Sequence, residues 1–169
     1  EEEGPEYDEH VWLSLNNTKS LVGTISDTLA EIDSSNADIF KENAKTYIDK
    51  LTSLDSEYQK TISNSSNKTI LFGDRFPFRY LVDDYGIDYY AAFVGCSAET
   101  EASFETITFL AGKVDELGLK NVFVIESSDK KIAKTIIENT QTKDQNICVL
   151  DSMQSTTSKD IDNGTTYLS

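Results

Sequence analysis

A long amphipathic segment in the first half of the chain limits its possible folds more than any other feature of the sequence. Apolar side chains recur at every third or fourth position from Phe40 to Ile62, and neither glycine nor proline interrupts them. A helix over residues 38–62 is roughly 40 Å long at about 1.5 Å per residue. Since this length exceeds the width of a small lobe, the sequence predicts a spine that joins two lobes rather than one layer of a compact domain.

A shorter amphipathic helix is predicted before the spine, over residues 18–32. Its apolar positions recur at helical spacing and stop at a polar cluster, residues 33–36, which predicts a loop and the cap of the next helix. These apolar positions are Leu21, Ile25, Leu29 and Ile32. Residues 1–9 are acidic and contain Gly4 and Pro5, so we expect a flexible linker there.

Beyond residue 62 the pattern changes to short apolar runs that alternate with helical stretches. Each run is short and apolar enough to predict a strand in a buried central position. The predicted strands cover residues 69–72, 89–93, 122–125 and 147–150, and the predicted helices between them lie around residues 78–82, 104–117 and 132–137. The predicted fold class is therefore α/β, with a four-strand parallel sheet flanked by helices and preceded by the long helix.

The charge balance excludes several classes of partner. The chain has 30 Asp and Glu against 15 Lys and Arg, and its formal net charge of -15 repels polyphosphate backbones and anionic lipid headgroups. Nucleic acid is therefore not expected as a partner. No stretch approaches the roughly 20 consecutive apolar residues of a membrane span, and the chain opens on Glu1 without a hydrophobic leader. We interpret the sequence as a mature fragment, with any export signal or lipid anchor outside it.

The sequence lacks the patterns of the common catalytic sites. His10 is the single histidine, and there is no Gly-x-Ser-x-Gly, Cys-x-x-Cys or His-Glu-x-x-His motif and no phosphate loop or dinucleotide fingerprint. A site that binds a metal without catalysis requires fewer specialised residues than a catalytic site, namely about three or four convergent nitrogen and oxygen ligands. In an open parallel sheet ligands bind beyond the carboxyl ends of the strands. The loops predicted to share that rim begin at Gly73, Gly95, Glu126 and Asp151.

One short segment near the start of the chain resembles a family motif. The segment is Asp8-Glu9-His10-Val11-Trp12-Leu13-Ser14. It resembles the Asp-x-His-x-Trp-Leu-Ser segment of metal-binding solute-binding proteins of ABC importers, in the cluster A-I, or TroA-like, family. Because the histidine of this segment binds the metal in that family, the resemblance implies that His10 is a metal ligand.

The resemblance continues through most of the chain. Further segments similar to family motifs are Phe78-Arg79-Tyr80-Leu81 with Tyr85-Gly86, Gly95 with residues 99–103, Glu126-Ser127-Ser128, Leu150-Asp151-Ser152 and Gly164-Thr165-Thr166-Tyr167. The family places a carboxylate ligand at the strand-end Asp-Ser pair, which implies that Asp151 binds the metal. Glu126 is an alternative carboxylate ligand, and its other interpretation is a helix cap or a salt bridge.

The third ligand position departs from the family. Relatives place His or Glu three residues before the Phe of their Phe-x-Tyr-Phe motif, and the same count in this chain reaches Arg75. Arginine stays protonated and cannot ligate a metal, so we predict that Asp74 takes this place. The alternative is that Asp74 caps the following helix and that Arg75 pairs with a nearby carboxylate.

The resemblance implies a binding protein and not an enzyme. The implied binding protein is an extracytoplasmic receptor, at the cell surface or in the periplasm. The full-length protein would be anchored as a lipoprotein. The implied cargo is zinc, or manganese as the alternative, and the implied partners are an ABC permease and an amino-terminal lobe with a further histidine ligand. Residues 1–17 would then end that missing lobe, residues 18–62 would form connecting helices, and residues 63–169 would form the carboxy-terminal βα lobe.

Two other functional classes stay open on the sequence alone. A doubly wound α/β enzyme domain could use Asp74 and Asp151 as acids at the rim of its sheet. An adhesin or interaction module could have the same fold without transporting metal, because a fold does not determine a function.

Overall fold

The computed structural model describes residues 7–93 and 101–169, and these residues divide into two compact units. The first unit contains the described residues of Glu1–His10 and Asn67–Ser152, and the second contains Val11–Ser66 and Met153–Ser169. The acidic residues 1–6 and the predicted rim loop at Gly95, with Glu99, lie outside the described residues.

Within these ranges the chain forms six α-helices and four β-strands. In chain order they are α1 Leu15–Ile32, α2 Ala37–Ser63, β1 Thr69–Phe72, α3 Arg79–Tyr85, β2 Asp88–Ala91, α4 Phe104–Leu117, β3 Asn121–Ile125, α5 Lys131–Glu138, β4 Asn146–Leu150 and α6 Ser158–Asp162. The predicted long helix is confirmed as α2, which has 27 residues. None of the helices in the described ranges is long and apolar enough to cross a bilayer.

The four strands of the first unit make a wholly parallel sheet in the order β2-β1-β3-β4, which confirms the predicted fold class. Helices α4 and α5 supply Leu110, Val114, Ala133 and Ile136 to a core that also contains Val122 of β3. Helix α4 has the predicted length because Ser103 caps its start and Gly118, in the left-handed conformation at φ 61°, ends it.

Two of the four strands do not have the central position that their apolar sequences predicted. Strands β2 and β4 are the edges of the sheet, and Asp88 and Tyr89 of β2 are exposed. An open sheet of four strands must have two edges, and a short apolar run does not reveal which strands take them. The second strand also lies at Asp88–Ala91 rather than at residues 89–93.

Helix α1 of the second unit forms as predicted, and it starts earlier because the Ser14 side chain accepts the Asn17 amide. Its predicted apolar positions are exposed, however, by 43% at Leu21, 58% at Ile25, 40% at Leu29 and 76% at Ile32. The buried positions of α1 are Leu15, Thr18 and Ser26. We call the four exposed side chains the α1 stripe. A contiguous apolar stripe on one helix face is typical of a surface that another part of a protein covers.

The end of β1 approaches α5 closely, and this contact fixes the point at which the chain leaves the carboxyl end of the sheet. A Cβ atom added at Gly73 would lie 2.6 Å from the Ala133 Cα, in the backbone of α5. The Gly73 amide also donates to the Phe123 carbonyl of β3 at 2.9 Å. Glycine is therefore required at the position where the chain leaves the sheet.

We expect Gly73→Ala to lower the free energy of unfolding by about 1–3 kcal/mol, because α5 must shift to admit the methyl group. Gly112→Ala is the matched control, since a Cβ at Gly112 in α4 meets nothing within 4 Å and alanine favours a helix by about 0.5–1 kcal/mol. Urea denaturation followed by circular dichroism measures both changes. Equal stability of the two variants would contradict the close contact.

Candidate metal site

The predicted ligand His10 is buried and held by the carboxylate of Asp8. His10 is 2% exposed, and its Nδ1 lies 2.7 Å from Asp8 Oδ1. The same Asp8 oxygen accepts the His10 backbone amide at 2.9 Å. The Tyr80 hydroxyl of α3 donates to the Asp8 backbone carbonyl at 2.8 Å, so this segment is tied to the first unit.

The Asp8 contact determines which nitrogen of His10 could bind a metal. A carboxylate only accepts hydrogen bonds, so the neutral imidazole must carry its proton on Nδ1 and its lone pair on Nε2. A carboxylate that orients a histidine in this way is a common feature of protein metal sites, where it also raises the basicity of the ligand. The geometry therefore suits His10 for metal binding through Nε2, with Asp8 as the residue that orients it.

Asp8, Glu9 and His10 also form a close group of possible ligand atoms, all within 4.8 Å of one another. This is the group of possible metal ligands found among the described residues. Asp74 and Asp151 do not belong to it. Because Asp8 Oδ1 already contacts Nδ1, we interpret this group as one histidine with its orienting carboxylate and an exposed neighbour.

Asp74 lies at the carboxyl end of β1, directly after Gly73, and is 8% exposed. Its carboxylate accepts the Arg75 amide at 2.8 Å. It does not cap the following helix, because α3 begins five residues later with Phe78 as its N-cap and no side-chain capping bond. The capping alternative is therefore wrong.

Asp74 lines a cleft at this edge of the sheet together with Ser127, Ser128 and Asp129, which follow β3. Asp129 pairs with Lys131 at 2.8 Å, and the hydrogen bond from Lys131 holds the pKa of Asp129 below its ordinary value. The negative charge on that side of the cleft is thus partly offset by a cation, whereas Asp74 brings a carboxylate with little exposure to solvent. Arg75 lines the same cleft, so this end of the sheet presents a carboxylate and a guanidinium side by side.

Asp151 directly follows β4 and is exposed, while its neighbour Ser152 is fully buried. Glu126, the first residue after β3, contacts Ser152 through both carboxylate oxygens, at 2.9 Å to the amide and 2.8 Å to the hydroxyl. Glu126 does not cap the following helix, whose N-cap is Lys130, and it forms no ion pair with a residue in the described ranges.

The sequence did not indicate these supporting roles of Asp8, Tyr80 and Glu126. The role of Asp8 could have been predicted from the sequence, because the two-residue spacing of Asp-x-His places the carboxylate within reach of the imidazole. For Tyr80 and Glu126 there was none, because their partners lie 72 and 26 residues away in the sequence.

We expect the Asp8→Ala variant to lose its preference for the His10 tautomer with the proton on Nδ1. In the metal-free chain, a long-range ¹H–¹⁵N correlation spectrum at alkaline pH reports this tautomer, and the single histidine gives one unambiguous imidazole signal. The expected result is Nδ1–H in the wild type and in the control Glu9→Ala, and a shift toward Nε2–H in Asp8→Ala. A wild-type imidazole protonated on Nε2 would contradict the geometry.

The chain is similar in sequence to metal-binding proteins of streptococci. The chain is 31% identical over 161 residues to the zinc-binding protein AdcA of Streptococcus pyogenes, a match covering 95% of this chain and 30% of AdcA. It is 30% identical over 141 residues to the manganese ABC transporter substrate-binding lipoprotein PsaA of Streptococcus mitis, covering 82% of this chain and 45% of PsaA. The chain thus spans less than half the length of these relatives.

A solved structure and a family model agree with these relatives. The Zn(II)-bound ZnuA-like domain of Streptococcus pneumoniae AdcA matches with a TM-score of 0.76 and 30% identity, over 98% of this chain and 60% of that domain. The model of the family described as ZnuA, the periplasmic component A of a zinc-uptake complex, matches residues 1–169. The chain therefore belongs to this zinc-uptake family, one of metal-binding substrate-binding proteins of ABC importers rather than of enzymes, as the resemblance implied.

Proposed function

We propose that this chain forms the carboxy-terminal lobe and the connecting helices of an extracytoplasmic receptor that captures a divalent metal ion for an ABC importer. The observation that carries the proposal is the buried His10, oriented by Asp8, in a chain that the zinc-uptake family matches from end to end. His10, Asp74 and Asp151 are the proposed ligands, and the ion is the cargo of the receptor.

Zinc is the proposed ion and manganese the alternative. Imidazole nitrogen suits zinc, whereas carboxylate oxygens suit manganese as well, and the proposed set contains one imidazole and two carboxylates. The relatives support the same order, because AdcA is named as a zinc-binding protein and PsaA as a manganese-transporter protein.

The proposed two-lobe architecture gives each of the remaining parts of the chain a role. We propose that residues 1–17 are the end of an amino-terminal lobe in the sequence, that residues 18–62 connect the lobes, and that residues 63–169 form the carboxy-terminal lobe. The described residues of Glu1–His10 belong to the same compact unit as Asn67–Ser152, so His10 would act from the carboxy-terminal side of the site. The 27-residue α2 and the exposed α1 stripe support this organisation, because a stripe of four apolar side chains is expected to be covered in the complete protein. The proposed amino-terminal lobe would supply the cover and a further histidine ligand.

The location and the transport partner follow from the same proposal. Two relatives are named as lipoproteins, AdcA of Streptococcus pneumoniae and PsaA of Streptococcus mitis. We accordingly place the full-length protein outside the cytoplasm, at the cell surface or in the periplasm, with a lipid anchor. Its loaded form would dock on an ABC permease in the membrane.

Isothermal titration of the full-length protein with Zn²⁺ and with Mn²⁺ tests the proposal. We expect His10→Ala to weaken zinc binding by roughly 100-fold or more, since even residues that only orient a ligand contribute about 10–100-fold. Asp49→Asn is the control for loose binding of cations to an acidic surface, because Asp49 is exposed on α2 and its removal should leave the affinity unchanged. An unchanged zinc affinity in His10→Ala would overturn the proposed site.

Residues 1–169 alone are expected to bind zinc weakly or not at all, because ligands from one lobe lack the partner that completes the coordination shell. The same titration on this chain measures the difference from the full-length protein. Equally tight binding by the two would show that the ligands lie elsewhere in the chain than proposed.

A further inference from the structure

Glu126 and Ser152 are joined by two hydrogen bonds at the carboxyl edge of the sheet. The Ser152 amide donates to Glu126 Oε2 at 2.9 Å, and the Ser152 hydroxyl donates to Oε1 at 2.8 Å. Strands β3 and β4 are adjacent and parallel, with Ile125 paired to Leu150. Glu126 and Asp151 are thus the residues that directly follow this last pair, and Asp151 precedes the hydrogen-bonding partner of Glu126. We call this pair of bonds the Glu126 clamp.

The clamp acts on the backbone of Asp151. The amide nitrogen of Ser152 belongs to the planar peptide group that begins at the Asp151 carbonyl, so fixing this amide fixes the rotation of the chain about the Asp151 Cα. The second bond holds the Ser152 side chain, which has 0% exposure. Hydrogen bonds to a carboxylate are shorter and stronger than those between neutral groups. Together the two hydrogen bonds restrain one of the two backbone rotations, ψ of Asp151, that set the direction in which its side chain leaves the backbone.

The segment that follows β4 contains little regular secondary structure that could restrain Asp151. Residues 151–157 form neither helix nor strand, and α6 begins at Ser158. Met153, the next residue, adopts φ 52°, in the left-handed region that non-glycine residues rarely occupy.

We propose that Glu126 is a positioning residue for the metal site, one that aims Asp151 without itself binding the ion. This inference rests on the proposed function, in which Asp151 is a ligand. It explains why the Glu126 carboxylate faces Ser152 with both oxygens, and it replaces the interpretations of Glu126 as an alternative ligand, a helix cap or a salt-bridge partner.

Two substitutions separate positioning from ligation. Glu126→Gln keeps the length of the side chain, so its oxygen can still accept the Ser152 amide and its amide group can donate to the Ser152 hydroxyl. Glu126→Asp keeps the charge but withdraws it by one methylene group, which breaks the clamp. If Glu126 positions Asp151, the Gln variant should bind Zn²⁺ more tightly than the Asp variant; a ligand carboxylate predicts the reverse.

The measurement is a competition titration of the full-length protein with Zn²⁺ and a chromophoric chelator. We expect Glu126→Asp and Glu126→Ala to weaken binding about 10–100-fold and Glu126→Gln to change it by less than about fivefold. In an Asp151→Ala background, Glu126→Ala should have no further effect, because the residue that it positions is gone. A merely structural role would not produce this dependence on Asp151.

Hydrogen exchange of the Ser152 amide in the metal-free protein provides a readout independent of zinc. We expect exchange at least about tenfold faster in Glu126→Ala and close to the wild-type rate in Glu126→Gln, because only the first removes the acceptor. Unchanged exchange in Glu126→Ala would show that the clamp does not hold this peptide group, and it would overturn the inference.

The remaining outcomes distinguish the inference from the function on which it rests. Equal losses of zinc affinity in Glu126→Gln and Glu126→Ala, or additive losses of Glu126→Ala and Asp151→Ala, would overturn the positioning role. If His10→Ala abolished binding while Asp151→Ala left it unchanged, the receptor function would stand and the positioning role would be wrong. A wild-type protein that bound no zinc would overturn both.

Discussion

The parallel direction of all four strands is the constraint on which the candidate site depends. Because the strands run the same way, the residues that follow β1, β3 and β4 all leave the sheet at one edge. This brings Asp74, Glu126 and Asp151 to that edge although they are far apart in the sequence. The close contact of Gly73 with α5 then fixes where β1 ends, and so fixes the start of the segment that carries Asp74.

The acidic residues of the first unit have separate tasks despite their common charge. Asp8 orients a histidine, Glu126 holds a peptide group, and Asp129 pairs with Lys131. The net charge of -15 would by itself attract cations only diffusely, because exposed charges are screened within about 8–10 Å in physiological salt. Discrimination between ions requires ligands held in a fixed geometry, and hydrogen bonds from neighbouring groups provide it. The few oriented carboxylates therefore matter more for the proposed site than the many exposed ones.

The sequence predicted the elements with strong local signals and missed those decided by distant contacts. Helix α2 was found from uninterrupted periodicity, and α4 was found to the residue because Phe104 begins an apolar pattern that Gly118 stops. The edge positions of β2 and β4 were missed, since the apolar pattern of a short strand reports burial in general and not its place in a sheet. The exposure of the α1 stripe was missed because periodicity shows that a face needs a cover without showing whether this chain contains it.

For the site, the resemblance supplied His10, Asp151 and the position of the third ligand, and chemistry moved that third prediction from Arg75 to Asp74, since arginine cannot be a ligand. The Asp8 and Glu126 contacts share a feature of location that no sequence motif indicated. Each involves a residue at a point where the chain passes from the first unit to the second, between His10 and Val11 and between Ser152 and Met153. In each case a carboxylate of the first unit holds the residue on its own side of that passage. His10 and Asp151, two of the three proposed ligands, thus lie at or beside contacts internal to the first unit, so the restraints on each of them are a property of this unit.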